Sequence, residues 1–348
     1  MWYSVTPEAI ANHIADRMTK MILAAKKKMQ NADATSGEVM TAEHRSYDAC
    51  NSNPKRALII LDAFCGCGGN SIAFARWNER ANSLNEIDGR QKQHEHDRCP
   101  DDDKAVTNAC HHPRVKVIAV ENNLTRLKMA AHNASVYNVP REDIVFIHAD
   151  AIEVLKHYSQ GKSVRCATRN SDGGGGGDNQ LGSETSYAGF ALGGMDLLPN
   201  YIDGIFLSPP WGGMDYATTV GKAGFDPVTS ITVESSGSSV NEAPLEDEDE
   251  VVVEGAASCT TTVTTNGGEL LRIASKSVFG DTHQEAGVVA YFLPRNIDGI
   301  ALGKIAVASD IRGCYEMEQN VVNGKVKTVT AYFGPGYASF VQEDLSNR

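Results

Sequence analysis

Short, continuous apolar runs alternate along this chain with stretches whose apolar residues recur at helical spacing. Leu58 to Leu61 is such a run, and its lack of polar alternation predicts a strand buried on both faces. Val115 to Val120, Ile144 to Ile147, Ile202 to Leu207 and Val288 to Leu293 predict four more. Between them, Asn70 to Trp77, Leu124 to Tyr137 and Ile152 to Tyr158 carry the helical period. Near the start, Thr6-Pro7-Glu8 is a helix start signal. Ile10, Ile14, Met18, Met21 and Ile22 then mark one face of a helix, and Lys26-Lys27-Lys28 would complement its dipole at the end. Residues 30–54 are polar and predict a loop.

Strands alternating with helices predict a parallel sheet covered on both faces, an α/β fold. The tail breaks this rule. Tyr315 to Val321 and Lys325 to Phe333 flank Val322-Asn323-Gly324, and Asn-Gly is a strong hairpin signal. A Rossmann-like, mostly parallel sheet that ends in an antiparallel hairpin is the layout of class I S-adenosylmethionine-dependent methyltransferases. A plain dinucleotide-binding domain lacks that hairpin. The expected organisation is an N-terminal helix and linker over 1–57 and one catalytic domain over 58–348.

Three stretches do not fit the alternation. Residues 78–113 are charged and rich in His and Cys, 159–199 contain Gly173 to Gly177, and 229–267 are acidic and rich in Ser and Thr. All three are expected to be disordered insertions. The third also changes how the charge is read. The net charge of −12 argues against a nucleic-acid partner at first, but eight of the acids, and no Lys or Arg, lie in 229–267. The remainder is only mildly acidic, which suits a protein that grips a few phosphates. The acidic stretch could itself meet a basic protein partner. Eight cysteines in 348 residues make no disulfide framework, and Met1 to Glu8 lacks the pattern of a secretory signal. The thiols are expected to be reduced. No apolar run is long enough to span a membrane.

The first strand runs into Asp62-Ala63-Phe64-Cys65-Gly66-Cys67-Gly68-Gly69-Asn70. Such a turn brings backbone close to a ligand and offers the free N–H groups of a helix start. The dinucleotide pattern fails, because Ser71 stands where its last glycine belongs. Asp62 would repel a diphosphate but suits the ammonium of an amino-acid tail, which favours S-adenosylmethionine over a nicotinamide cofactor. Glu121 ends the second strand and could accept ribose hydroxyls. It lies too far from Gly68 for a compact unit unless 78–113 is an insertion. Asp150, after the third strand, could take an adenine amino group. Any one of these acids could be an ordinary cap or loop residue. Three at successive strand ends point to one crevice, the ligand side of an open α/β sheet. Gly66, Gly68, Asn70, Asn122 and Ala151 complete the expected cofactor set.

The fourth strand ends in Ser208-Pro209-Pro210-Trp211. Two prolines remove two N–H groups and leave carbonyls facing outward. An exocyclic amine needs such acceptors to hold its lone pair along the sulfonium–methyl axis. Trp211 would stack the base, and a cationic 7-methylguanine would add cation–π attraction. Ser208, Pro209 and Trp211 are the expected catalytic residues. The bland alternative is a rigid turn with a half-buried Trp.

At these residues the chain resembles the trimethylguanosine synthase family, which hypermethylates RNA caps. The similar runs are Trp2 to Arg17, Asp62 to Ala75, Val117 to Val139, Ile144 to Leu155, Ile202 to Tyr216, Val289 to Asn296 and Tyr315 to Gly334. The resemblance implies methyl transfer from S-adenosylmethionine to the 2-amino group of 7-methylguanosine caps of small RNAs (snRNA and snoRNA), giving 2,2,7-trimethylguanosine. It implies that Trp211 stacks the base, and that Tyr216, Arg295, Asn296 and Lys327 bind the capped substrate. By itself Lys327 reads as a solvated strand residue. The resemblance also implies a nuclear location, in the nucleolus or nuclear bodies, with the cytoplasm as a second site. The chain departs from the family in three ways. Glu121 stands where Asp is usual, and the three insertions are atypical. A small helical segment that the family has upstream of the Trp2 region is expected to be missing or supplied otherwise.

Two other readings stay open. One is a guanine 2-amino or adenine 6-amino methyltransferase acting on internal bases of RNA or DNA. The other is a cap-binding module without catalysis. His94, His96, Cys99, Cys110, His111 and His112 have ligand chemistry but fit no standard zinc spacing, so no metal is expected. Cys65 and Cys67 read as small packing residues, since C-x-C is not the redox spacing.

Overall fold

The computed structural model describes residues 5–36, 56–83, 113–162, 164–167, 186–192, 198–212, 224–236, 262–279, 286–309, 311 and 315–346. The five expected strands are present as β1 (Leu58–Asp62), β2 (Val115–Glu121), β3 (Ile144–His148), β6 (Gly204–Leu207) and β9 (Val288–Pro294). Two further strands, β4 (Val164–Ala167) and β5 (Ser186–Leu192), lie between β3 and β6 in the chain. The tail forms β10 (Glu316–Val322) and β11 (Lys325–Phe333). Together these make one sheet of order β10-β11-β9-β6-β1-β2-β3-β5-β4.

Neighbouring strands from β3 through β9 run parallel. β11 is slotted between β9 and β10 and runs antiparallel to both. This is the class I methyltransferase fold, with seven core strands and the penultimate position in space reversed. The hairpin turns at Asn323 and Gly324, both with positive φ (52° and 71°), as the Asn-Gly signal predicts.

The central strands are buried on both faces, so alternate residues feed two cores. Ile59, Leu61, Val289, Tyr291 and Leu293 join one core, with α4 (Ala151–Ser159) and α6 (Gly267–Phe279). Leu58, Ile60, Ala290 and Phe292 join the other, with α1 (Glu8–Ser36), α2 (Gly69–Ala75) and α3 (Leu124–Val136). The apolar face read from the sequence, Ile10, Ile14, Met18, Met21 and Ile22, is fully buried here. Gly204 permits this close approach, because a Cβ there would collide with Met18 and Ile22.

α1 runs eight residues past Lys28, so residues 30–36 of the expected loop are helical instead. The lysines are therefore mid-helix. Lys26 does not serve the helix end but pairs with buried Asp203 at 2.8 Å. Asp203 also accepts from Arg56 at 2.6 Å and from the Ile59 N–H at 2.8 Å. The Arg56 guanidinium lies 3.5 Å from the centroid of the Tyr201 ring. This clasp ties α1 to the N-terminal ends of the strands, away from the ligand side.

Parts of the three expected insertions are ordered, and the rest of each lies outside the described residues. Residues 77–83 continue the helical path after α2. β4 and β5 extend the sheet beyond β3. Within 229–267, β7 (Thr232–Ser236) and β8 (Thr262–Asn266) form a two-stranded sheet. Order arises here because short runs rich in β-branched residues, Thr232-Val233 and Thr262 to Thr265, find each other as partner strands, which composition alone does not reveal. α5 (Pro227–Ser230), α7 (Gly299–Ala308) and α8 (Pro335–Ser346) complete the elements. No helix among the described residues is long and apolar enough to cross a membrane.

Candidate active site

The C-terminal ends of β3, β2, β1, β6 and β9 lie side by side, with the start of β11 beside β9. Read across this edge, the expected residues come in order: Asp150, Glu121, Asp62, Ser208, Arg295 and Lys327. Neighbouring strands are about 4.8 Å apart, so the row spans roughly 24 Å.

Asp62 ends β1 and is fully buried. Ser71 donates its hydroxyl to Asp62 Oδ2 at 2.6 Å, while Oδ1 has no partner. Burial raises its pKa to about 7, although the Ser71 hydrogen bond opposes the shift. An unpaired buried carboxylate oxygen is costly unless a donor or cation reaches it. Asn70 Oδ1 is a second buried oxygen without a partner, while its Nδ2 donates to Thr6 Oγ1 at 3.0 Å. Two orphaned acceptors at one glycine turn suit the ammonium of an amino-acid tail, so these residues fit the expected cofactor. Thr6 thus anchors Asn70 to the start of α1, where the Ile10 and Ala11 N–H groups donate to the Pro7 carbonyl.

Gly66 and Gly68 both have positive φ (55° and 89°). Gly68 precedes α2, and a Cβ on it would press on Ala130 of α3 at 3.0 Å. The turn is therefore closed against α3 while a Cβ on Gly66 or Gly69 would meet open space. Cys65 is a buried free thiol whose pKa burial pushes well above the ordinary range, in keeping with a packing role.

Glu121 is nearly buried and densely bonded. Its Oε2 accepts from the Gly66 N–H at 3.1 Å. Its Oε1 accepts from the Asn123 N–H at 2.9 Å, and from Arg126 Nε at 3.0 Å and Nη2 at 2.7 Å. The sequence reading gave Glu121 to ribose and missed Arg126. Five residues separate the two, and only the folded turn at the start of α3 brings them together. Asn122 is exposed, with its carbonyl 3.0 Å from His148 Nε2. Asp150 caps α4, accepting from the Ile152 and Glu153 N–H groups at 2.7 Å and 3.4 Å. The ordinary cap reading therefore holds for one of its oxygens. Burial raises its pKa despite those bonds. Ala151 is buried at the first position of α4.

Ser208 Oγ donates to the Phe64 carbonyl at 3.2 Å, so the diproline corner is stitched to the glycine turn. The donated proton leaves the oxygen lone pairs able to accept. Pro209 is buried, Pro210 exposed and Trp211 half-buried. Both prolines follow trans bonds. The indole N–H donates to the Phe292 carbonyl at 3.1 Å, and the ring packs against Phe292 with centroids 5.3 Å apart at 37°. Phe292 leans on Phe206, which leans on Phe74 of α2. This aromatic column fixes the indole's orientation and was not foreseen from sequence.

Arg295 is exposed just past β9. β11 pairs Thr328 with Pro294, so Lys327 lies beside Arg295 and is exposed too. Asn296 has a buried Oδ1 without a partner, and its carbonyl holds the Phe225 N–H at 2.8 Å. Tyr216 and the His/Cys cluster lie outside the described residues. Among those described, no group of three or more His, Cys, Asp or Glu could hold a metal.

Comparison with known proteins adds to this geometry. The family model of RNA cap guanine-N2 methyltransferases matches residues 106–226, from β2 through the Ser208–Trp211 corner. The trimethylguanosine synthase of Schizosaccharomyces pombe is 23% identical over 216 residues, 62% of this chain and 46% of that protein. The chain thus spans about half the length of this curated relative. Among solved structures, an S-adenosylmethionine-dependent methyltransferase from Agrobacterium tumefaciens aligns with 83% of this chain and 59% of its own at 10% identity and a TM-score of 0.40. An rRNA methylase from Streptococcus thermophilus aligns with 86% of this chain and 98% of its own at 11% identity and a TM-score of 0.33. Likeness at that level carries no weight beside the strand order itself. The chain has the class I methyltransferase fold, and over 106–226 it is similar to the RNA cap guanine-N2 methyltransferases.

Proposed function

We propose that this protein transfers methyl groups from S-adenosylmethionine to the exocyclic 2-amino group of a 7-methylguanosine cap. The observation that carries this reading is the order of groups along one sheet edge. Acids suited to a nucleoside with an amino-acid tail are followed by an acceptor corner with an indole, and then by two exposed cations. Bound there, the cofactor would supply an electrophilic methyl group. Asp62 and Asn70 would hold its ammonium, Glu121 its ribose, and Asp150 with Asn122 the adenine rim.

The chain's own work is then to orient the amine. An aromatic amine is a weak nucleophile, so most of the rate must come from positioning. Ser208 and the backbone carbonyls of the diproline corner would accept its N–H groups and aim its lone pair at the methyl. No base is needed before transfer, because the proton can leave afterwards. Trp211 would stack on the cationic purine. Arg295 and Lys327 would meet the cap phosphates, the first as a bidentate donor and the second as a point charge. Two successive transfers would give a trimethylated cap. The substrates on this reading are capped small nuclear and nucleolar RNAs, and the location is the nucleus.

The test is methylation of matched RNAs that carry a 7-methylguanosine cap, an unmethylated cap, or no cap, read by mass spectrometry. The reading expects one or two added methyls on the first RNA only. Equal methylation of uncapped RNA would favour an internal-base enzyme. Cap binding without turnover would favour a binding module.

A further inference from the structure

We propose that Arg126 is a positioning residue for cofactor ribose recognition, acting through Glu121. This rests on the reading that the crevice takes S-adenosylmethionine.

The starting observation is an electrostatic oddity. Arg126 sits in the first turn of α3, three residues past its cap Asn123. A helix N-terminus disfavours cations, so the helix itself gains nothing from arginine there. The guanidinium instead folds back over the start of the helix. Its Nε and Nη2 both reach Glu121 Oε1, at 3.0 Å and 2.7 Å, and Nη2 also reaches Asn122 Oδ1 at 3.3 Å. The Asn122 backbone carbonyl also lies 3.0 Å from His148 Nε2. One cation thereby sets both residues that face the nucleoside from the end of β2.

Glu121 has a reason to need such a clamp. Glutamate carries one more rotatable bond than aspartate, and freezing it costs entropy at the moment of binding unless it is already frozen. Glu121 is only 7% exposed while Arg126 is 38% exposed, so the pair lies at the crevice wall with the acid inside. The Gly66 N–H holds Oε2, while Arg126 and the Asn123 N–H hold Oε1. The carboxylate is thus fixed from the glycine turn and from α3 at once. A carboxylate has about four lone-pair sites, and Oε2 keeps room for a ribose hydroxyl.

The experiment is calorimetric titration of S-adenosylhomocysteine, and of its 2′,3′-dideoxyribose analogue, into the full chain. The proteins are the wild type, Arg126→Ala, Arg126→Lys, Glu121→Asp and the double variant Glu121→Asp/Arg126→Ala. Thermal melts of each variant check that it is folded. Loss of a charge-assisted clamp should weaken S-adenosylhomocysteine about tenfold in Arg126→Ala. The dideoxy analogue should change less than about twofold, since it offers no hydroxyl to Glu121. Arg126→Lys should recover part of the loss. With the shorter Asp at position 121, removing Arg126 should cost less than about threefold. Equal weakening of both ligands by Arg126→Ala would make the arginine merely structural and overturn the proposal, as would unchanged affinity. Failure of the wild type to bind either ligand would instead bring down the cofactor reading, and the proposal with it.

Discussion

The two halves of the proposed site are built differently. At the ends of β1, β2 and β3, every acid is buried or half-buried and already bonded to a backbone N–H, a hydroxyl or a guanidinium. At the ends of β9 and β11, the two cations are exposed on the surface. The difference follows from what each half would bind. A small cofactor recognised at several points rewards a stiff site, because ordering is complete before binding. Phosphates on a long, mobile RNA can be met by long side chains in water, at a cost in salt sensitivity. The diproline corner lies between the halves and is hydrogen-bonded to the stiff one.

The sharpest way to break this contrast is Trp211→Ala. It should reduce affinity for a 7-methylguanosine cap analogue by well over tenfold, from lost stacking and cation–π attraction. Binding of S-adenosylhomocysteine should stay within about twofold, since on the proposed reading the indole meets only the purine of the substrate. Equal loss of both in titrations would mean that the indole only holds Phe292 and the column behind it.

Asp62 gives the next largest effect and a pH signature. Its pKa is raised to about 7 in the folded protein, chiefly by burial. A cationic ammonium prefers the ionised acid. Cofactor affinity should therefore rise with pH to a plateau above neutrality, falling by up to about tenfold per unit below it. Stability has the opposite trend. Because the folded state holds this proton more tightly, the contribution of Asp62 to stability falls as pH climbs from about 4 to about 7. Asp62→Asn should flatten the affinity profile, and a slope that survives the substitution would assign it to another group.

Arg295→Ala or Lys327→Ala should act on the open half alone. Each should weaken a cap analogue with its phosphates a few-fold, about 1 kcal/mol, and lessen the salt dependence of binding. The nucleoside 7-methylguanosine should bind as before. A matching loss for the nucleoside would place these cations elsewhere than on the phosphates. The last effect falls on stability and not on the cap: Thr6→Val removes the acceptor for Asn70 Nδ2. It should cost about 1 kcal/mol of stability, read by chemical denaturation.

The stiff half was the more legible in sequence. Buried parallel strands write themselves as unbroken apolar runs, and a glycine turn between such a run and a helix gives away a ligand-binding edge. Asp62, Glu121 and Asp150 could be placed from those signals alone. Their partners could not. Arg126 and Ser71 owe their roles, and Thr6 its bond to Asn70, to turns that close only in three dimensions, and nothing in their spacing ties them to those partners. The Trp211–Phe292 contact joins β6 to β9 across 81 residues of sequence. The same limit explains Lys26, read as a dipole residue at a helix end and found instead on Asp203. It also explains β7 and β8, two strands within a segment that looks disordered by composition, which are ordered by pairing with each other.

The central claim is that one sheet edge holds a methyl donor and a purine cation side by side. A crystal structure with S-adenosylhomocysteine and a 7-methylguanosine cap analogue tests it most directly. The account predicts the cofactor across the ends of β1 to β3, the purine stacked on Trp211, and its 2-amino group within hydrogen-bonding reach of Ser208 and the diproline carbonyls. A purine bound with that amino group turned away from the cofactor's sulfur would contradict it.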